Sequence, residues 1–94
     1  MPKETVRTLP RPFSLHWGNG RIVEEATHAG EHHQPSLQLL EFEDGSAAVR
    51  FCYYDHAGRF QRSPLIVSND EIAGLKDALA AAPRLRSLLR ELVS

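Results

Sequence analysis

Between residues 37 and 67 apolar and polar side chains tend to alternate with period two, and two turn signals, Asp44-Gly45 and the run Asp55-His56-Ala57-Gly58, divide the stretch. It leads straight into residues 70–93, where Ile72, Leu75, Leu79, Leu85, Leu88, Leu89 and Leu92 recur at helical spacing. Hairpin-connected strands followed by a helix predict an α+β fold, an antiparallel β-meander of four to five strands with a C-terminal helix. At 94 residues the chain is one domain's worth. A chain of this size buries roughly 60–70% of its unfolded surface on folding. The core is therefore small, and a homodimer is expected to enlarge it.

Apolar residues at 41% and charged residues at 24% are ordinary for a globular protein and give no reason to expect disorder. No apolar run approaches the ~20 residues of a membrane-spanning helix. No charged leader followed by an apolar block opens the chain, so no signal peptide and no membrane partner are expected. The single cysteine, Cys52, forbids an internal disulfide and fits a reducing compartment, so a cytoplasmic location is expected. The net charge of −1 argues against an indiscriminate nucleic-acid binder. The charge is unevenly spread: residues 24–44 carry Glu24, Glu25, Glu31, Glu41, Glu43 and Asp44 without one lysine or arginine. Segregation of this kind can leave a basic face on a nearly neutral protein.

Residues 1–12, with Pro2, Pro10 and Pro12, read as a flexible arm ahead of a single domain over 13–94. Phe13, Leu15 and Trp17 alternate with polar residues; Gly18-Asn19-Gly20 then predicts a turn, and 21–26 a returning strand. After a loop over 28–35, strands are predicted over 37–42, 47–54 and 59–67. Pro64 cannot donate to a ladder, so the last of them is bulged, ends early or lies at an edge. Ser68 and Glu71 form a capping-box pattern at the helix start. Pro83 predicts a kink or restart within the helix.

With Asp44 and Gly45 as a two-residue turn, Phe42 faces Ala47 and Leu40 faces Val49. Leu40, Phe42, Ala47, Val49, Phe51 and Tyr53 then line the core side, and Leu39, Glu41, Ala48, Arg50, Cys52 and Tyr54 the outer side. A four-residue turn at 55–58 adds Arg59, Gln61 and Ser63 to the outer side. Arginines among aromatic and amide side chains suit single-stranded nucleic acid, where phosphates are neutralised while unpaired bases stack on rings. The plain alternative is the solvated face of a one-sided sheet.

The run Leu40-Glu41-Phe42-Glu43-Asp44-Gly45, then Val49-Arg50-Phe51-Cys52-Tyr53-Tyr54-Asp55, with Gly58, Pro64, Ile66 and the helix start at 68–75, resembles the positive cofactor four family of single-stranded-DNA-binding transcriptional coactivators. The likeness covers residues 39–76. It implies a curved four-stranded sheet followed by a helix, dimerisation through helix and sheet, and single strands held in basic grooves. It nominates Arg50, Tyr54, Arg59 and Arg62, beside Gln61, as nucleic-acid-binding residues, with single-stranded DNA or RNA as partner. Arg62 falls on the core side of the register above unless a bulge near Pro64 turns it. Trp17 stacks on a base if the first hairpin rims the groove; otherwise it belongs to core or interface.

The stripe Leu85, Leu88, Leu89 and Leu92 has little sheet of its own left to cover once the first helical segment has packed. It is read as the dimer interface, and the alternative function is a protein-interaction or assembly module without nucleic-acid binding. His28, His32 and His33 are near enough in sequence to invite a zinc site, but no cysteine pair accompanies them and neighbouring histidines point apart, so no metal and no cofactor is expected. Cys52 lies mid-strand with His56 nearby and no oxyanion-hole pattern, and Gly18 and Gly20 precede no helix. An enzyme is not expected.

Overall fold

The computed structural model describes residues 7–61 and 64–94. Five strands, β1 (Arg11–Leu15), β2 (Gly18–Thr27), β3 (Gln34–Phe42), β4 (Ala47–Tyr54) and β5 (Leu65–Ser68), are followed by α1 (Ile72–Leu79) and α2 (Pro83–Val93). Each strand pairs antiparallel with the next in sequence, in the order β1-β2-β3-β4-β5. The α+β meander with C-terminal helices is thus the fold. Of the expected N-terminal arm, 1–6 lie outside the described residues, while Arg11 and Pro12 already belong to β1.

The first hairpin turns at His16 and Trp17, because Leu15 pairs with Gly18. The glycines expected to make that turn sit inside β2 instead. A Cβ on Gly20 would overlap the backbone oxygen of Glu41, and one on Gly18 would come 3.1 Å from the Phe42 ring. Glycine is used here for close strand approach. It lets the Phe42 ring meet Phe13 edge-on, with centroids 5.1 Å apart at 88°.

The β3–β4 hairpin corrects the expected sheet faces. Leu40 pairs with Ala48, not Val49. The Phe42 N–H donates to the Ser46 carbonyl at 2.9 Å, leaving Glu43, Asp44 and Gly45 as a three-residue loop with Gly45 at φ +89°. Asp44 accepts from the Ser46 N–H and hydroxyl at 2.9 and 2.6 Å, which fixes the longer loop. One extra loop residue turns every β4 side chain to the opposite face. Ala48, Arg50, Cys52 and Tyr54 therefore share the face of Leu40 and Phe42, and Val49, Phe51 and Tyr53 lie on the other.

The same loop length recurs at 56–58. Asp55 exchanges with Arg59, its N–H donating to that carbonyl at 3.0 Å, and Phe60 bridges Tyr54, with Gly58 at φ +85°. The regular fifth strand is shorter than expected and begins only after Pro64, at the sheet edge. Ser68 and Glu71 form the capping box, with the Ser68 N–H donating to the Glu71 carboxylate at 2.9 Å. Pro83 breaks the helix outright. Ala80, Ala81 and Ala82 close the end of α1 with bonds to Asp77, Ala78 and Leu79, and Pro83 takes the first position of α2, where its missing N–H costs nothing.

One end of the inner face is apolar: Phe13, Ile22, Leu40 and Ala48 are buried together, with Leu15, Phe42 and Ile66 against them. This cluster takes residues from all five strands. Neither helix contributes a buried residue.

Candidate functional site: a buried arginine network and an open apolar face

The other end of the inner face is polar. Gln34, Ser36 and Gln38 alternate inward along β3 and are all buried. Opposite them on β4 stand Tyr54, Cys52 and Arg50. On β2 the pairing slips at Val23, since Ile22 pairs with Leu40 but Glu24 with Leu39. That bulge gives the inner face Glu25 and Thr27, and sends Glu24 outward.

Glu25 accepts from Arg11 Nη1 and Nη2 at 3.0 and 2.9 Å, a fork geometry, and from Gln38 Nε2 at 2.6 Å. Arg7 adds a longer ion pair at 3.5 Å. Tyr54 Oη accepts from Arg11 Nη2 at 3.2 Å and Gln38 Nε2 at 2.8 Å. The other side of the Gln38 amide accepts from Arg50 Nε at 2.6 Å. Cations lie on rings at both ends: Arg7 Cζ is 3.6 Å from the Tyr54 ring centroid, and Arg50 Cζ is 4.7 Å from that of Phe60.

Burial by itself pushes the Glu25 carboxyl up, but the hydrogen bonds from Arg11 and Gln38 and the charges of Arg11 and Arg7 outweigh it and hold the group below the usual glutamate value. The bond to Glu25 raises Arg11 against the opposing effect of burial. Burial raises the Cys52 thiol, which leaves it protonated at neutral pH and a poor nucleophile.

The residues nominated for nucleic-acid binding are not on one surface. Arg50 and Tyr54, each 6% exposed, belong to the inner network. Arg59 is exposed and Gln61 half-buried, both on the outer side by the Tyr54–Phe60 register, with Gln61 Nε2 donating to the Arg59 carbonyl at 2.9 Å. Arg62 and Ser63 lie outside the described residues. Trp17 stands on the first turn, more than half exposed, its ring 5.4 Å from Phe42.

Among the described residues no cluster of three histidine, cysteine or acidic side chains is placed to hold a metal ion. His33 lies against Tyr53 with ring centroids 4.9 Å apart, and His56 Nε2 is 3.0 Å from the Glu31 carbonyl oxygen. No helix among the described residues is long and apolar enough to cross a membrane.

The outer side carries a second feature. Leu85, Leu88 and Leu92 of α2 are all more than half exposed, Leu88 most of the three at 66%, and Leu89 is half-buried. Leu92 closes one side of a groove of about 530 Å³ whose sheet wall includes Ala26, Leu37, Phe51 and Tyr53. The helix stripe therefore meets the outer sheet face at Leu92.

The β3 pattern was the one sequence signal for the inner network: Ser36 and Gln38 alternate with Leu37 and Leu39. Alternation identifies two faces without saying which is enclosed. Compared with protein-family models, with curated proteins and with solved structures, the chain matches none.

Proposed function

We propose that this protein is an assembly module that works as a homodimer, with α2 and the adjoining outer sheet face as the contact surface. The observation that carries this reading is the exposure of Leu85, Leu88 and Leu92 along one side of a helix that buries nothing of its own. Contiguous apolar surface of this kind marks an interaction site in a soluble protein. A second copy fits it because the stripe is self-complementary. A two-fold antiparallel pairing centred between Leu88 and Leu89 sets Leu85 of one copy opposite Leu92 of the other. Covering the exposed part of each leucine contributes a share of the about 1.5–3 kcal/mol that full burial of a leucine is worth. The half-buried free thiol of Cys52 supports a reducing, cytoplasmic setting.

Light scattering after size exclusion tests the surface through Leu88→Asp. The variant is expected to run at the mass of one 10.5 kDa chain while the parent runs at twice that mass. A variant that keeps the parent's mass overturns this interface.

One observation favours a second reading, single-stranded nucleic-acid binding in a transcription-cofactor-like role. Phe51 and Tyr53 present partly exposed rings on the outer face, the face that also carries Arg59, and bases stack on such rings at about 1–3 kcal/mol each. On this reading Arg59→Ala weakens salt-sensitive binding of a labelled oligonucleotide in fluorescence anisotropy, while Arg50→Gln acts only through stability. Absence of binding at low salt removes it.

A further inference from the structure

Three guanidinium groups, Arg7, Arg11 and Arg50, share the inner network with one carboxylate, Glu25. Arg7 and Arg11 both reach that carboxylate. Arg50 does not: among the described residues it forms no ion pair, although it is only 6% exposed. Its Nε is held by the neutral Gln38 amide, and its guanidinium carbon lies over the Phe60 ring. Burying a charge without a counter-charge is costly, and the cost falls when an anion takes up the open position.

Such a position adjoins Arg50. A groove of about 380 Å³ opens between β1 and the residues following β4. Its polar lining includes Arg50, Arg11 and Tyr54 beside Ser14, and its apolar lining includes Phe13, Ile22 and Phe60. Its volume falls within the range of small-ligand sites, which join a mostly apolar wall to a few fixed polar groups. We propose that this groove binds a small carboxylate with an apolar body, its carboxylate held by Arg50 with help from Arg11 and its body lying along Phe13 and Ile22 beneath the Phe60 ring. Guanidinium suits a carboxylate because its planar fork matches the two oxygens. The proposal is independent of the assembly reading, which uses the opposite face of the sheet.

Phenylacetate is a suitable probe, with phenylacetamide as its uncharged counterpart and inorganic phosphate as an anion without an apolar body. Titration calorimetry on the full chain is expected to find one phenylacetate per chain, with phenylacetamide and phosphate each at least tenfold weaker. The Arg50 Nε–H resonance is expected to shift on titration with phenylacetate. Arg50→Met is expected to lose at least tenfold in affinity with an unchanged sheet signal in circular dichroism. Phe60→Ala, at a partly exposed position near a turn, covers the case in which the Arg50 variant does not fold, and is expected to weaken binding at least threefold. Equal binding of phenylacetate and phenylacetamide, equal binding of phosphate, no binding of phenylacetate, or full affinity in either variant overturns the proposal.

Discussion

Glu25 receives both terminal nitrogens of Arg11, at 3.0 and 2.9 Å, because the bulge at Val23 turns it rather than Glu24 toward the inner face. A regular ladder continued from Ile22 would have placed Glu24 inside. The pair then joins β1 and β2 to Gln38 of β3 and, through Arg11, to Tyr54 of β4, so the pair ties four strands together.

Removing that carboxylate leaves Arg7, Arg11 and Arg50 without an ion-pair partner among the described residues. Glu25→Gln keeps the shape and one acceptor but deletes the charge. The expected cost is about 3 kcal/mol, the scale for breaking a buried ion pair from one side, read from the midpoint of urea unfolding. A loss under about 0.5 kcal/mol, the size of an ordinary surface substitution, contradicts the role assigned to Glu25.

Acid acts on the same group. Its value in the folded chain lies below that in the unfolded chain, so the unfolded chain takes up the proton more readily. The stabilisation is complete above the ordinary glutamate value of about 4.3 and is lost as pH falls through the lowered one. Asp44, bonded by Ser46, and Glu71, bonded by Ser68, are lowered too and act in the same direction. Melting temperature is expected to fall below about pH 4.3, and less steeply in Glu25→Gln. Parallel curves for parent and variant contradict the assignment.

Two glycines separate close approach from open space. A Cβ on Gly20 meets the Glu41 backbone, whereas one on Gly74, within α1, meets nothing within 4 Å. Gly20→Ala is expected to destabilise by on the order of 3 kcal/mol, as an overpacked strand contact does. Gly74→Ala is expected to stabilise by about 0.5–1 kcal/mol through helix propensity. Thermal unfolding of the two variants checks both signs.

The elements legible in the sequence were those with local signals. The alternation in 47–54, the capping box of Ser68 and Glu71 and the interruption at Pro83 depend on neighbours a few residues away, and each is present in the fold. Register was not legible. Asp44-Gly45 serves a two-residue turn or the second half of a three-residue loop, and the difference of one residue decides whether Arg50 and Tyr54 face solvent or the interior. The bulge at Val23 has no local mark, so Glu25 was indistinguishable from the other acids of 24–44. The leucine stripe was legible as a stripe, because helical spacing is local, while what covers it is a matter of association.

The most direct test of the account is sedimentation velocity of the unmodified chain across a concentration series spanning low micromolar to high micromolar. The account predicts a single boundary at twice the 10.5 kDa chain mass at the upper end, shifting toward one chain on dilution. A boundary at one chain mass throughout contradicts it, since the exposed leucines of α2 would then have no second copy to cover them.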